Sequence, residues 1–280
     1  MSYAMPLTLC EALALLRDGS PRVIAGCTDF FPSQAPGARA QSLLDITAIS
    51  DCRGISETAD GWRIGAAVTW TDVVRAPLPP AFDALKLAAR EVGSIQIQNR
   101  GTVVGNICNA SPAADGVPPL LALNAQVEIA SSDATRTVPL SAFIQGVRKV
   151  DLARDEMVVA VIVPKVSATA QSAFLKLGSR KHLVISIAMV AAVAEVQNGR
   201  LSDVRVAVGS CSAVAQRLPG LEARLIGCAV GDVATLDFAA DDNLAPLTPI
   251  SDVRGSAEYR MDVAAELCRR AVVQACGGGS

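Results

Sequence analysis

A single histidine, His182, is all that 280 residues carry. Ser–His–Asp catalysis and multi-histidine metal sites therefore have almost nothing to build from. His182 sits in Ser179–Arg180–Lys181–His182, a polar run that reads as a surface or strand-edge position. Cysteine is present but not in metal-binding spacing. Cys10, Cys27, Cys52, Cys108, Cys211, Cys228, Cys268 and Cys276 never form C-x-x-C, so zinc and ferredoxin-type ligation are excluded. They are scattered among small and apolar residues, as reduced core cysteines of a cytoplasmic protein would be. Aromatic residues make up 4% of the chain, too few for an extracellular module that relies on aromatic anchors. There is no G-x-G-x-x-G and no Walker lysine, which removes the commonest nucleotide-binding loops. A formal net charge of −2 with no basic run argues against nucleic acid as a partner. No apolar run is long enough to cross a membrane; Val184 to Val196 is the nearest and is too short. The first residues, MSYAMPLTLCEALALL, lack a basic segment and place Glu11 among the apolar ones, so a mature start is expected rather than a signal peptide. No pair of carboxylates is set at catalytic spacing. With no acid–base engine in view, a cofactor is expected to carry the chemistry.

What is present is 51% hydrophobic, enough for a large core and for one or two domains. The central stretch is Ile95 to Asp115, IQIQNRGTVVGNICNASPAAD. Gly101 and Gly105 interrupt it, and Asn99, Asn106 and Asn109 punctuate it. Glycine and asparagine tolerate positive φ and let backbone approach a ligand. An apolar run, Val117 to Ala125, follows. Together they read as a ligand loop held by a core or as a surface loop with asparagine turns. A second stretch, Val23 to Phe30, reads VIAGCTDF: a short strand that meets Gly26 and small residues. Its tight turn could aim backbone N–H groups at an anion.

Around these stretches the periodicity predicts alternating elements. Helices are expected at Leu9–Arg17, Thr69–Arg75 with Thr69 or Thr71 as N-cap, Phe82–Val92, Val117–Leu123, Leu218–Ile226 and Val263–Ala275. Strands are expected at Arg22–Ala25, Leu43–Ile46, Gly61–Ala67, Gln126–Ala130, Arg136–Pro139 and Met157–Pro164. A Ser/Ala/Thr-rich link at Lys165–Ser172 marks a domain boundary. Beyond it, Ser172–Leu177, Ile187–Gln197 and Leu201–Val208 read as a meander, with Asn198–Gly199 a strong hairpin signal. Strands followed by helices give the C-terminal part an α+β pattern. Gly277–Gly279 reads as a flexible end.

The two central stretches together resemble a known family. An A-G-x-T/S-D turn near the N-terminus, followed by T-x-G-G-N-I-x-N-A-S-P-A-A-D, resembles the FAD-binding medium subunit of the molybdenum hydroxylases, the xanthine dehydrogenase and carbon monoxide dehydrogenase family. IGAAVTWTDV (64–73), PPLLALNAQVEI (118–129), FLKLGSRKHLVISIAMVAAV (174–193) and SAEYRMDVAAELCRRAV (256–272) fall in family order. The resemblance implies an α+β chain. A PCMH-type, vanillyl-alcohol oxidase-like FAD-binding domain of two α/β lobes would span 1–167, with sub-lobes at about 1–57 and 58–167. A smaller α+β domain, an antiparallel sheet with helices, would span 168–280.

The resemblance also implies the cofactor and its contacts. Ala25, Gly26, Cys27, Thr28 and Asp29 match the first pyrophosphate loop, and Thr102, Val103, Val104, Gly105 and Asn106 the second. Asp115 matches an aspartate near the flavin, Met157 and Val158 an apolar position against one of its rings, and Lys176 a lysine reaching FAD from the C-terminal domain. Each has a simpler reading: Asp115 as a helix cap, Lys176 as a solvated strand residue, Met157 and Val158 as plain core, Thr28 and Thr102 as turn-closing hydroxyls. Two positions depart from the family pattern, Cys27 and Val104, each standing where a glycine is usual. No metal ligands and no catalytic side chains are expected on this chain. The implied partners are a molybdenum-cofactor large subunit and a [2Fe–2S] small subunit, in a dimer of heterotrimers, with NAD or another acceptor taking the electrons. A free-standing flavin oxidase and a scaffold subunit that has lost FAD are the competing readings. The first lacks room for a substrate domain; the second is motivated by Cys27 and Val104.

Overall fold

The computed structural model describes residues 2–35 and 41–277; the glycine end expected at 277–279 lies, after Gly277, outside them. The chain opens with strand β1 (Tyr3–Ala4), helix α1 (Leu9–Gly19), β2 (Arg22–Ile24) and β3 (Leu43–Asp45). β3 lies between the other two and runs parallel to both. α1 begins where expected because the Thr8 hydroxyl accepts the Glu11 N–H. It buries Ala12, Leu13 and Leu16 and stops at Ser20, which takes a left-handed conformation.

A turn at Ser50–Cys52 leads to β4 (Ile55–Thr58) and β5 (Gly61–Gly65). β4 is absent from the sequence reading because Ser56, Glu57 and Thr58 are polar and exposed. It pairs through Glu57 and Thr58 with Trp62 and Gly61, so the expected sub-lobe division at 57/58 cuts a strand. Five short helices follow: α2 (Trp70–Arg75), α3 (Asp83–Glu91), α4 (Ile95–Gln98), α5 (Val103–Asn109) and α6 (Val117–Ala122). Thr69 and Asp72 form a reciprocal capping box on α2. Then come β6 (Gln126–Ala130), β7 (Thr135–Pro139), α7 (Leu140–Phe143), β8 (Ile144–Gly146), β9 (Lys149–Val150) and β10 (Met157–Pro164). The second sheet is antiparallel with order β4-β5-β10-β6-β7, and β10, almost wholly apolar, is its buried central strand.

The remaining elements are β11 (Gln171–Leu177), β12 (Ala188–Gln197), β13 (Arg200–Gly209), β14 (Gln216–Arg217), α8 (Pro219–Leu225) and α9 (Ala257–Ala275). The four strands form an antiparallel sheet in sequence order. The β12–β13 turn has φ of 52° at Asn198 and 74° at Gly199, as the Asn–Gly pair predicts. α9 starts at Ala257, earlier than expected, because the Ser256 hydroxyl accepts the Tyr259 N–H and caps a polar first turn that periodicity misses.

β12 explains its own composition. Met189, Ala191 and Val193 join the large core shared with α3, α6 and β10, while Ala188, Val190, Ala192 and Ala194 join a second core under α8 and α9. A strand buried on both faces reads as a continuous apolar run. The run from 184 to 196 is therefore mostly core strand, from Ala188 onward, with Val184 and Ile185 on the segment before it. Among the described residues, no helix is long and apolar enough to cross a membrane.

Candidate functional site

The first loop leaves β2 at Ala25 and crosses directly over the second. A Cβ on Gly26 would lie 1.8 Å from the Arg100 carbonyl oxygen and 2.9 Å from the Gly101 nitrogen. Gly26 is therefore required by loop-on-loop contact. Its φ is not positive, and neither is that of Gly101 or Gly105; among the described residues, the left-handed position here is Cys27, at 59°. The Cys27 thiol donates to the Ala25 carbonyl. Thr28 and Gly101 face each other across the crossing: a Cβ on Gly101 would meet Thr28 Oγ1 at 3.2 Å.

The second stretch differs from the expected loop. Thr102 is the N-cap of α5, its hydroxyl accepting the Gly105 N–H, and Val103, Val104, Gly105 and Asn106 form the first turns of that helix. Its start is tied down by Trp70 N–H to the Gly101 carbonyl and Val103 N–H to the Val68 carbonyl. Val104 thus sits at a helical position that a β-branched residue fills without strain. The sequence reading missed this helix because glycine and asparagine are poor helix formers.

Around the crossing lie three hollows of about 380, 700 and 650 Å³, which meet at Ile24, Ala25 and Thr102. Each falls in the range of ligand pockets, about 300–1,000 Å³. Ala25, Gly26, Cys27, Thr28, Asp29, Thr102, Gly105 and Asn106 border the first. Val104, Met157 and Val158 border the second, with Leu16, Ile46 and Ala66 beside them. Val103 is fully buried in the core and offers only its backbone. Asp29 is an exposed carboxylate at the rim, where it would repel a phosphate rather than bind one.

Asp115 and Lys176 border none of these three hollows; they meet each other. Lys176 Nζ donates to Asp115 Oδ2 at 2.8 Å, and both side chains are at least nine-tenths buried. Ser186 donates to the other carboxylate oxygen at 2.7 Å. Burial pushes the Asp115 carboxyl up from its ordinary value, and Lys176 and Ser186 pull it partly back. Asp115 caps no helix here: the residue before α6 is Gly116, which makes no side-chain cap. His182 is exposed on the segment between β11 and β12.

Residues that the sequence reading does not assign to the cofactor also border the first hollow: Arg22, Trp70, Val92, Cys108 and Asn109. Arg22 could have been suspected as a cation at the start of the strand feeding the first loop. Nothing in the sequence marks Val92 or Cys108. The thiols do not offer nucleophiles, since burial raises Cys27 and pushes Cys108 to about 12.

The FAD binding domain in molybdopterin dehydrogenase matches residues 1–166, and the CO dehydrogenase flavoprotein C-terminal domain matches residues 173–275. The chain belongs to the flavoprotein family of the molybdopterin dehydrogenases. It is 31% identical to the xanthine dehydrogenase FAD-binding subunit of Escherichia coli O157:H7, over 99% of this chain and 97% of that one. It is also 31% identical to the nicotine 6-hydroxylase medium subunit of Paenarthrobacter nicotinovorans, over 98% and 96%. The structure superposes on a chain of carbon monoxide dehydrogenase from Hydrogenophaga pseudoflava with a TM-score of 0.90 and 30% identity, covering 99% and 97% of the two chains. The family fold and FAD as its cofactor accord with the geometry. The loops cross backbone against backbone at Gly26, and the three hollows that meet there suit an extended dinucleotide. Asn106 borders the first hollow, and its buried Oδ1 has no donor among the described residues, which suits a ligand offering hydroxyl or imide hydrogens. Neither departure from the flavoprotein pattern closes the cleft: Cys27 adopts the left-handed backbone and Val104 is helical.

Proposed function

We propose that this flavoprotein is the electron-transfer subunit of a molybdenum-containing dehydrogenase, and that it works beside a large subunit carrying the molybdenum cofactor and a small subunit carrying [2Fe–2S] clusters. The observation that carries the reading is the close crossing of Ala25–Asp29 over Arg100–Asn106, with no room for a Cβ on Gly26, at the meeting point of three hollows. FAD bound there supplies both one- and two-electron redox chemistry, so electrons from the clusters of a partner can be handed in pairs to NAD or another acceptor.

The chain's own residues then have distinct tasks. Backbone N–H groups of Ala25–Asp29 and those left free at the start of α5 hold the pyrophosphate, with Gly26 letting the two loops touch and Gly105 keeping the approach clear. Arg22 borders two of the hollows and adds a positive charge there, as Arg100 does at the third. Met157, Val158 and Val104 give one ring an apolar wall and exclude water. Asp115 and Lys176 close the FAD-binding domain, which we place at 1–167, against the C-terminal domain at 168–280. The dimer of heterotrimers is part of the same reading. So is a cytoplasmic location, supported by eight cysteines that are all free thiols.

The test is purification of the chain with its genomic neighbours, followed by flavin, iron and molybdenum assays. We expect a yellow complex with one flavin per copy of this chain and with iron and molybdenum on other chains. A colourless chain that takes up no FAD, or an isolated chain that turns over organic substrate at full rate, would overturn the assignment. Within it, Gly105→Val places a branched side chain where even a Cβ lies 2.8 Å from the Thr102 hydroxyl, and should yield largely apoprotein.

A further inference from the structure

We propose that Ser186, which touches none of the three hollows, is a positioning residue for the cofactor cleft: it fixes the Asp115 carboxylate so that the C-terminal sheet sets one wall of the FAD-binding domain. The inference rests on the FAD reading above. Ser186 is 2% exposed and lies at the entrance to β12. Its hydroxyl and the Lys176 ammonium take one carboxylate oxygen each. One donor would leave the carboxylate free to rotate; two donors on two oxygens fix its plane.

The grip extends along the whole turn. The Ser210 N–H donates to the Pro112 carbonyl at 3.0 Å, so residues 112 and 115 are both held from the C-terminal sheet. Behind them, the buried guanidinium of Arg260 on α9 donates to the carbonyls of Ile187 and Ser210, the neighbours of the gripping groups. On the other side, Gly116 follows Asp115 and presses on the cleft wall. A Cβ on Gly116 would lie 2.3 Å from the Trp70 ring and 3.1 Å from Asn106 Oδ1, and both residues border the 380 Å³ hollow. The contact path runs from Ser186 through Asp115 and Gly116 to Trp70 and Asn106. The charged groups facing Asp115 are Lys176 on β11 and Glu91 at the end of α3; α5 and α6 carry none.

The experiment is Ser186→Ala, which removes the donor and little volume, made in the complete complex and assayed by FAD titration of the deflavinated protein across pH. We expect FAD affinity about ten-fold lower, the size of one hydrogen bond to a charged group. We also expect acid release of FAD to begin at higher pH, because Asp115 becomes easier to protonate. In an Asp115→Asn background the same Ser186→Ala change should have no further effect. An unchanged affinity and pH profile, or an equal loss in the Asp115→Asn background, would overturn the proposal and show only local packing. If Asp115→Asn does not fold, the pH profile of Ser186→Ala alone decides. A wild-type complex that binds no FAD would instead overturn the parent assignment.

Discussion

Gly26 and Cys27 are adjacent and obey different constraints. Gly26 has ordinary backbone angles and no space: the Arg100 carbonyl occupies the position its Cβ would take. Backbone cannot yield as a flexible side chain can. Gly26→Ala should therefore destabilise the chain by about 3 kcal/mol and abolish flavin retention, the upper end of overpacking costs. Normal stability and full flavin content in that variant would show that the loops can part without loss. Cys27 has space and an unfavourable φ of 59°. Left-handed backbone costs a non-glycine residue about 1–2 kcal/mol, while glycine adds about 0.5–1 kcal/mol of unfolded-state entropy. Cys27→Gly should raise the stability of the flavin-free protein by no more than about 1 kcal/mol, read from urea midpoints. A clear destabilisation would mean that the thiol bond to the Ala25 carbonyl outweighs the backbone strain. That these residues matter was legible from residue type. Which of the two needed positive φ was not, because that is decided by the partner loop, about 75 residues away in sequence.

At the scale of elements, α5 was missed whole and α9 was started late, and at both a cap marks the true start. Caps are single side chains, and periodicity sees only the faces that follow them. Thr102 holds the Gly105 N–H of α5. Thr102→Ala should cost about 1 kcal/mol of stability. It should also loosen flavin, since the capped turn forms one side of the crossing. A fall in flavin retention without any fall in stability would assign Thr102 to the ligand alone. Besides its Ser256 cap, α9 is held by acid groups. Asp252 accepts from Arg254 and Arg260, and further along Glu266 accepts from Arg269 and Arg270. Hydrogen bonds hold both carboxyls down at about 2. Between that value and their ordinary range the unfolded chain binds more protons than the folded one, so stability falls as pH drops through this window. Acid unfolding below pH ~4 should begin around α9, and hydrogen exchange by mass spectrometry would locate it. Earlier opening of the N-terminal sheets would show that other carboxylates dominate. Strands β10 and β12 were read correctly because burial on both faces leaves an unbroken apolar run, whereas β4, exposed and polar, left no signal.

The molecule as a whole is joined through β12. Its alternate side chains enter two different cores, so the C-terminal sheet is a shared layer and not an appendage. The composition shift at Lys165–Ser172 shows where the chain crosses between the two parts but cannot show that they share a core, since sharing depends on which face of β12 meets α3 and α6. The same limit applies to Lys176. In the sequence it reads as a solvated strand residue or, by the resemblance, as a lysine reaching FAD. The structure supplies Asp115, 61 residues away, at 2.8 Å. Lys176→Met would leave a buried carboxylate with only Ser186 as donor, and losing one partner of a buried pair costs about 3–5 kcal/mol. The sign of its pH dependence follows from the direction of the Asp115 shift. Its folded-state value is already raised above 3.8, and loss of the lysine raises it further. The folded state then holds the proton more tightly than the unfolded state, so stability falls as pH rises through the window between the two values. The deficit of Lys176→Met should therefore be greatest near neutrality, shrink as pH falls through the raised value, and be smallest once Asp115 is protonated in both states. Adding Asp115→Asn should recover much of the loss at pH 7, because it removes the charge that the missing lysine left behind. Urea unfolding of the single and double variants at several pH values would check this. A deficit independent of pH, or one unrelieved by Asp115→Asn, would mean that the lysine stem rather than its charge joins the two parts.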